Sequence, residues 1–311
     1  MAKKRKSPRD ALKEPLRFLW RCLEKYFGDG CSTMAAALSF YTFFSLPALL
    51  SLFLIIVGAA MDPREVQRAI LTQVTDLIGQ AGAEQIRTII EHARRVDVNR
   101  PAAAALSVLA VAFGATASFG QLQGALNQIW KVKPDPKRGQ FRNFLAKRIF
   151  SFGVVIAVAF LLLVSLALSA LLVALGERLT RSLGLPEVLL QFTDWAISFA
   201  MLSAIFAGMY RLLPDARIAW PDVWVGAVAS ALLFVVGKAV IGYYLGDTDP
   251  GSAYGAAGSL AVILIWVYYT SMVVLFGAVV TRVWAERYGR GVHPERGAVE
   301  FVEVEREVER G

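Results

Sequence analysis

Along this chain, uncharged apolar stretches of bilayer length alternate with connections that collect the charge. The clearest, Ser151 to Leu175, runs for roughly 25 residues without an ionisable side chain, beyond the ~20 with which a helix crosses a hydrocarbon core. Comparable stretches at 33–60, 102–123, 191–210, 223–245 and 256–280, two of them with a single charge near the outer end, bring the predicted transmembrane helices to six. Buried helices of soluble proteins can be as apolar, but they are shorter, about 10 to 14 residues. The pattern therefore predicts an all-α, polytopic membrane protein with its transmembrane domain over 33–285, each helix satisfying its own backbone in lipid.

Between the first two stretches, residues 61–100 change pattern. Val66, Ile70, Val74, Leu77 and Ile78 form one helical stripe and Ile86, Ile89, Ile90 and Ala93 another, with Gly79 and Gly82 between them. This predicts an extracytoplasmic insert of two short amphipathic helices, packed on the bundle or offering a partner surface. Ahead of the first stretch, within 1–32, Leu12, Leu16, Leu19, Leu23 and Tyr26 recur at helical spacing, while Lys13, Arg17, Arg21 and Lys25 repeat every four residues. That is the pattern of a basic amphipathic helix lying on a membrane surface. The C-terminal segment 286–311 alternates Val with Glu and Arg, and reads as a disordered cytoplasmic tail, with a strand against a partner as the alternative.

Charge gives the predicted bundle a side. Lys3, Lys4, Arg5, Lys6 and Arg9 open the chain, and Lys131, Lys133, Lys137, Arg138, Arg142, Lys147 and Arg148 follow the second stretch. Both segments are expected in the cytoplasm, which with six spans puts both termini there. The net charge of +8 then belongs largely to one face, whose expected partners are membrane lipids, above all anionic headgroups, and not nucleic acid.

Catalytic and metal motifs are absent. Cys22 and Cys31 lack a paired motif, His92 and His293 fall on opposite sides of the expected topology, and GxxxxGK[ST], HExxH and GxSxG do not occur. No enzyme activity, metal or cofactor is predicted.

The polar residues within the spans are the candidate functional residues, since such groups in lipid face a cavity or another helix. Ser39, Tyr41, Thr42 and Ser45 lie in the first span, followed by Pro47, which should kink it; Thr116, Ser118, Gln121 and Asn127 mark the second, and Tyr268 and Tyr269 the sixth. They suggest a polar cavity opening inward among these three spans; hydrogen-bonded helix packing explains them equally well. Small residues favour packing: Gly120 and Gly124 form a GxxxG, Ala200, Ala204 and Gly208 repeat every four, and 255–259 is small throughout. Such faces leave a homo-oligomer open. Lys238 is the one cation well inside a span, so pairing with Asp194 or Asp247 would make an outer gate or substrate contact, and snorkelling to the interface is the alternative.

Four segments together carry a resemblance: AAALSFYTFFSLPALLSLFLIIVG, LNQIWKV, LPDARIAWPDVWVGA and YGAAGSLAVILIWVYYTSMVVLFGAVV. In this order, over about Asp29 to Trp284, the chain resembles the YihY/virulence factor BrkB family of bacterial inner-membrane proteins. Val279 stands where that family commonly has an acidic residue. The resemblance implies six membrane helices. It also implies a transport-like role, with movement of lipid or lipopolysaccharide precursors as one form and a membrane scaffold or regulator of the envelope as the alternative. Some members carry a ribonuclease BN label, which this chain, without clustered metal ligands, does not support.

Overall fold

The computed structural model describes residues 8–58, 62–94, 117–135, 187–248, 258–295 and 297–302. Seven helices are described: α1 (Pro8–Gly28), α2 (Cys31–Gly58), α3 (Pro63–Arg94), α4 (117–129), α5 (Glu187–Leu212), α6 (Trp220–Thr248) and α7 (Gly258–Arg287). Two antiparallel ribbons of very short strands join them, β1 (Val132–Pro134) with β4 (Ala298–Glu300) and β2 (Ala216–Arg217) with β3 (His293–Pro294). Trp195–Leu212, Trp220–Ile241 and Leu260–Arg287 are long and apolar enough to cross a membrane. The third predicted span, 151–175, and most of the second lie outside the described residues.

Helix α7 is the hub, packed against α6, α2, α3 and α1. Its sequence explains this, because it alternates bulky residues with small ones and is apolar on every side until Arg282. Val273, Leu275, Ala278, Val279 and Val280 are buried, whereas α6 leaves Trp224, Val228, Leu232, Val236 and Val240 exposed on its outer face. An apolar outer surface of this kind is what lipid requires and water penalises.

The tightest helix crossing is glycine against helix. A Cβ on Gly226 of α6 would run into the Thr281 hydroxyl and the Gly277 carbonyl of α7; one on Gly277 would strike the Ser230 and Tyr210 hydroxyls; one on Gly237 would enter the Tyr269 ring. The backbones therefore meet only because these positions have no side chain. Inside this contact Tyr210 Oη of α5 lies 2.7 Å from Ser230 Oγ and donates to the Val274 carbonyl at 2.8 Å. The small-residue faces singled out in the sequence behave differently: a Cβ at Gly120, Gly124 or Gly208 would meet nothing within 4 Å among the described residues. Spacing alone does not tell these two kinds of position apart.

Three expectations are corrected. The 61–100 insert holds one continuous helix, α3, and not two, since Gly79 and Gly82 each cost a helix interior only about 1 kcal/mol. Its contacts repay that small loss: Ile86 and Ile90 are buried against Val262, Ile263 and Trp266 of α7. The tail is ordered through Val302, because α7 extends to Arg287 and β3 and β4 then pair with this chain's own β2 and β1. The fold is thus helical with two small ribbons. Helix α2, with Pro47 exposed within it, begins at Cys31, two residues before the predicted boundary.

The glycine contacts carry a prediction. Gly277→Ala should lower the stability of the detergent-solubilised protein by about 1–3 kcal/mol through overpacking, whereas Gly124→Ala should leave it unchanged or raise it. Equal thermal shifts for the two would contradict the assignment.

Candidate functional site

The turn between α1 and α2, the end of α4, the α5–α6 connection and the end of α7 meet at one end of the bundle. Each is drawn there by polar groups that the apolar helices could not bury elsewhere. Arg282, on the last turns of α7, has a side chain only 15% exposed and donates to Asp29 at 3.2 Å, to the Ile129 carbonyl at 2.7 Å and to Glu286 at 2.7 Å. Asp29 also receives Lys131 at 3.0 Å, and Lys25 of α1 pairs with Glu286. These are charge-assisted bonds in a partly dehydrated setting, where losing one partner is costly.

Lys131 adopts a left-handed backbone, φ 53°, where glycine or asparagine usually ends a helix. The strain of about 1–3 kcal/mol is offset by its ion pair and by Phe301, whose ring centroid lies 5.8 Å from the Lys131 ammonium and 5.5 Å from that of Lys133. Thus β4 is held against β1 by side chains as well as backbone. Nearby, Asn127 donates to the Asp215 carboxylate at 2.8 Å and accepts from the Asp215 amide at 2.8 Å, tying α4 to the connection after α5. The buried Asp222 at the start of α6 accepts the Arg290 amide at 3.2 Å and fastens the segment after α7.

Above this charged end, α2, α4, α5 and α7 surround a cleft of about 230 Å³. Leu38, Phe119, Leu122, Met209, Val267 and Val274 make most of its wall. Thr42, Ser118, Thr270 and Ser271 supply hydroxyls: Thr42 and Ser118 are 2.9 Å apart, Ser271 donates to the Val267 carbonyl at 2.8 Å, and the buried Thr270 Oγ1 has no partner among the described residues. Spans one, two and six do converge, then, but on an apolar space with a few hydroxyls.

The other candidates divide between packing and surface. Ser39 donates to the Leu264 carbonyl at 3.2 Å, Ser45 to the Thr42 carbonyl at 2.9 Å and Tyr269 to the Leu233 carbonyl at 2.6 Å, so all three stitch helices or bond within one. Tyr41 is 43% exposed and turned outward among Phe40 and Phe44, and Gln121 and Tyr268 are half-buried. Lys238 is half-buried on α6. Thr116 and the side chains of Asp194 and Asp247 lie outside the described residues. Sequence reasoning passed over Arg282, Asp29 and Asp215. Among the described residues no group of three His, Cys, Asp or Glu side chains comes together as a metal site would.

The profile of the family described as Virulence factor BrkB matches residues 22–299. The chain belongs to this family. A UPF0761 membrane protein of Delftia acidovorans is 32% identical over 180 residues, 57% of this chain and 40% of that protein. One of Nitrosospira multiformis is 24% identical over 267 residues, covering 86% and 60%, and one of Pseudomonas aeruginosa 26% over 294 residues, covering 90% and 67%. The chain thus spans 40–67% of the length of these relatives. No solved structure matches it. It is a membrane protein of the BrkB/UPF0761 family.

The packing of α1 makes a chemical prediction. Cys22 is fully buried beside the bundle, and that burial, only partly offset by Lys25, pushes its thiol from 9.0 up to about 11. The folded state therefore favours the protonated thiol; the stability this confers is full below pH 9.0 and declines as pH rises through about 11. In a Cys31→Ser background, a maleimide at neutral pH should label Cys22 only after unfolding. Native labelling at the denatured rate would show α1 detached from α7.

Proposed function

We propose that this chain is a multi-pass inner-membrane protein, both termini cytoplasmic, that moves lipid between leaflets. The observation that carries this reading is the cleft among α2, α4, α5 and α7, which is apolar enough for an acyl chain and is lined in part by Thr270, whose buried hydroxyl has no partner among the described residues. A pathway for ions or sugars would need polar groups free to replace hydration; here most intramembrane hydroxyls bond to helix carbonyls. Lipid requires the opposite, an apolar slot with sparse polar groups for the ester region. The charged end beneath the cleft supplies the groups that a headgroup would meet first. Lipopolysaccharide precursors, also amphiphiles with several acyl chains, are a second class of cargo compatible with the same chemistry. No phosphate-cradling motif is present in the sequence, so the reading places no nucleotide hydrolysis in this chain.

The scaffold alternative has its own support in the Gly226–Gly277 crossing, which fixes α6 against α7 and favours a rigid body. Reconstituted vesicles separate the two. The purified full chain should accelerate exchange of fluorescent phospholipid between leaflets well above protein-free vesicles, and Ser118→Trp, which fills the cleft, should abolish the excess while the protein stays folded. Exchange no faster than in empty vesicles would leave the scaffold.

A further inference from the structure

Helix α1 has three differently employed sides. Phe18, Cys22 and Tyr26 face the bundle, where Phe18 packs on Trp284 with ring centroids 5.9 Å apart. Leu16, Trp20 and Phe27 are about 70% exposed and form a free apolar side that helical spacing makes continuous. The third side carries Arg21, Glu24, Lys25 and Gly28, and it looks across a cavity of about 710 Å³ at Val283, Glu286 and Arg287 of α7.

The charges in this cavity balance: Arg21, Lys25 and Arg287 against Glu24, Asp29 and Glu286, three of each sign. Lys25, Asp29 and Glu286 are engaged with one another's neighbours in the Arg282 cluster. Arg21 and Glu24 form no ion pair or hydrogen bond with any described residue, and Arg287 reaches Glu14 only at 3.9 Å. Two guanidinium groups on opposite walls, Arg287 also lying 5.1 Å from the centroid of the Tyr288 ring, and one carboxylate thus lack a close hydrogen-bonded partner among the described residues. Two guanidinium groups suit a phosphate, which they can hold bidentately. The carboxylate suits an ammonium carried by the same ligand.

We infer that the cavity between α1 and α7 binds the headgroup of a zwitterionic phospholipid with a primary ammonium, a phosphatidylethanolamine, its phosphate between Arg21 and Arg287 and its ammonium on Glu24. The acyl chains then lie along the apolar side of α1, which adjoins the charged side and is placed, as an interfacial helix, at headgroup depth. The proposal gives this cavity a zwitterionic headgroup, beside the anionic headgroups expected over the basic face as a whole. A phosphatidylglycerol would satisfy the two guanidinium groups but leave Glu24 facing uncharged hydroxyls. A phosphatidylcholine would present methyl groups where Glu24 needs N–H donors.

The inference deepens the lipid reading by naming the lipid, and it is tested by binding alone. The detergent-solubilised full chain is titrated with phosphatidylethanolamine, phosphatidylcholine and phosphatidylglycerol of one acyl composition, with soluble phosphoethanolamine as competitor, and adducts are counted by native mass spectrometry. Phosphatidylethanolamine should bind about tenfold more tightly than either of the others, the difference expected for one charge-assisted hydrogen-bonded contact. Glu24→Gln should erase the preference over phosphatidylcholine. Arg21→Gln with Arg287→Gln should weaken all three lipids. All three substitutions change exposed side chains outside the Arg282 cluster. Tightest binding of phosphatidylglycerol, displacement by phosphoethanolamine of no lipid at all, or a Glu24→Gln variant with unchanged selectivity would overturn the site. Selective binding without leaflet exchange would retire the transport reading and keep this one; exchange without selectivity would do the reverse.

Discussion

The described end of the bundle depends on one buried cation. A guanidinium whose side chain is 15% exposed needs partners in place of lost water, and Arg282 takes three from separate parts of the chain: the Asp29 carboxylate before α2, the Ile129 carbonyl at the end of α4, and Glu286 on its own helix. Desolvation makes the arrangement all or nothing, because each partner removed leaves a charge in a medium that poorly tolerates it. The left-handed turn at Lys131 serves the same cluster. It ends α4 where Ile129 presents its carbonyl to Arg282 and Lys131 reaches Asp29. The ribbon made by β1 and β4 grows from this turn, beginning with the Phe301 amide on the Lys131 carbonyl at 2.9 Å.

From this clamp upward the structure changes chemistry in layers. Ionic contacts give way to the glycine crossing of α6 and α7, with the Tyr210–Ser230–Val274 bonds inside it, and beside these to the apolar cleft walled by α2, α4, α5 and α7. In the proposed role, the charged end would meet the headgroup of an amphiphile and the apolar space above it the chain. Rigidity where α6 meets α7 does not preclude this, since the cleft lies on other faces of α7.

Much of the fold was legible. Uncharged length announced the helices, and the four-residue repeat of cations announced α1, because both signals depend only on local periodicity and on what lipid tolerates. What failed were readings that require knowing a neighbour. Gly79 and Gly82 looked like a break but are absorbed by a helix that Ile86 and Ile90 hold against α7. Gly120 and Gly124 looked like a contact but meet no described residue, while Gly226, Gly237 and Gly277, in no GxxxG, make close contacts. The alternating tail found its partner strands within its own chain. Of the candidate site, Thr42 and Ser118 were brought together as expected, and Tyr41 was not. Arg282 was missed although it left a trace: it is the first charge after an uninterrupted apolar run, and Asp29, flanked by glycines before α2, is its natural counterpart. Their pairing spans more than 250 positions, beyond the reach of any local pattern.

The clamp can be measured directly through a double-mutant cycle on Asp29 and Arg282, using thermal or denaturant unfolding of the full chain. If the two side chains act as one unit, Asp29→Asn and Arg282→Gln should each destabilise, and the double variant should fall short of their sum by roughly 1–3 kcal/mol, the scale of coupling between residues in one ionic network. Strictly additive losses, or an Arg282→Gln variant as stable as the parent, would contradict the account.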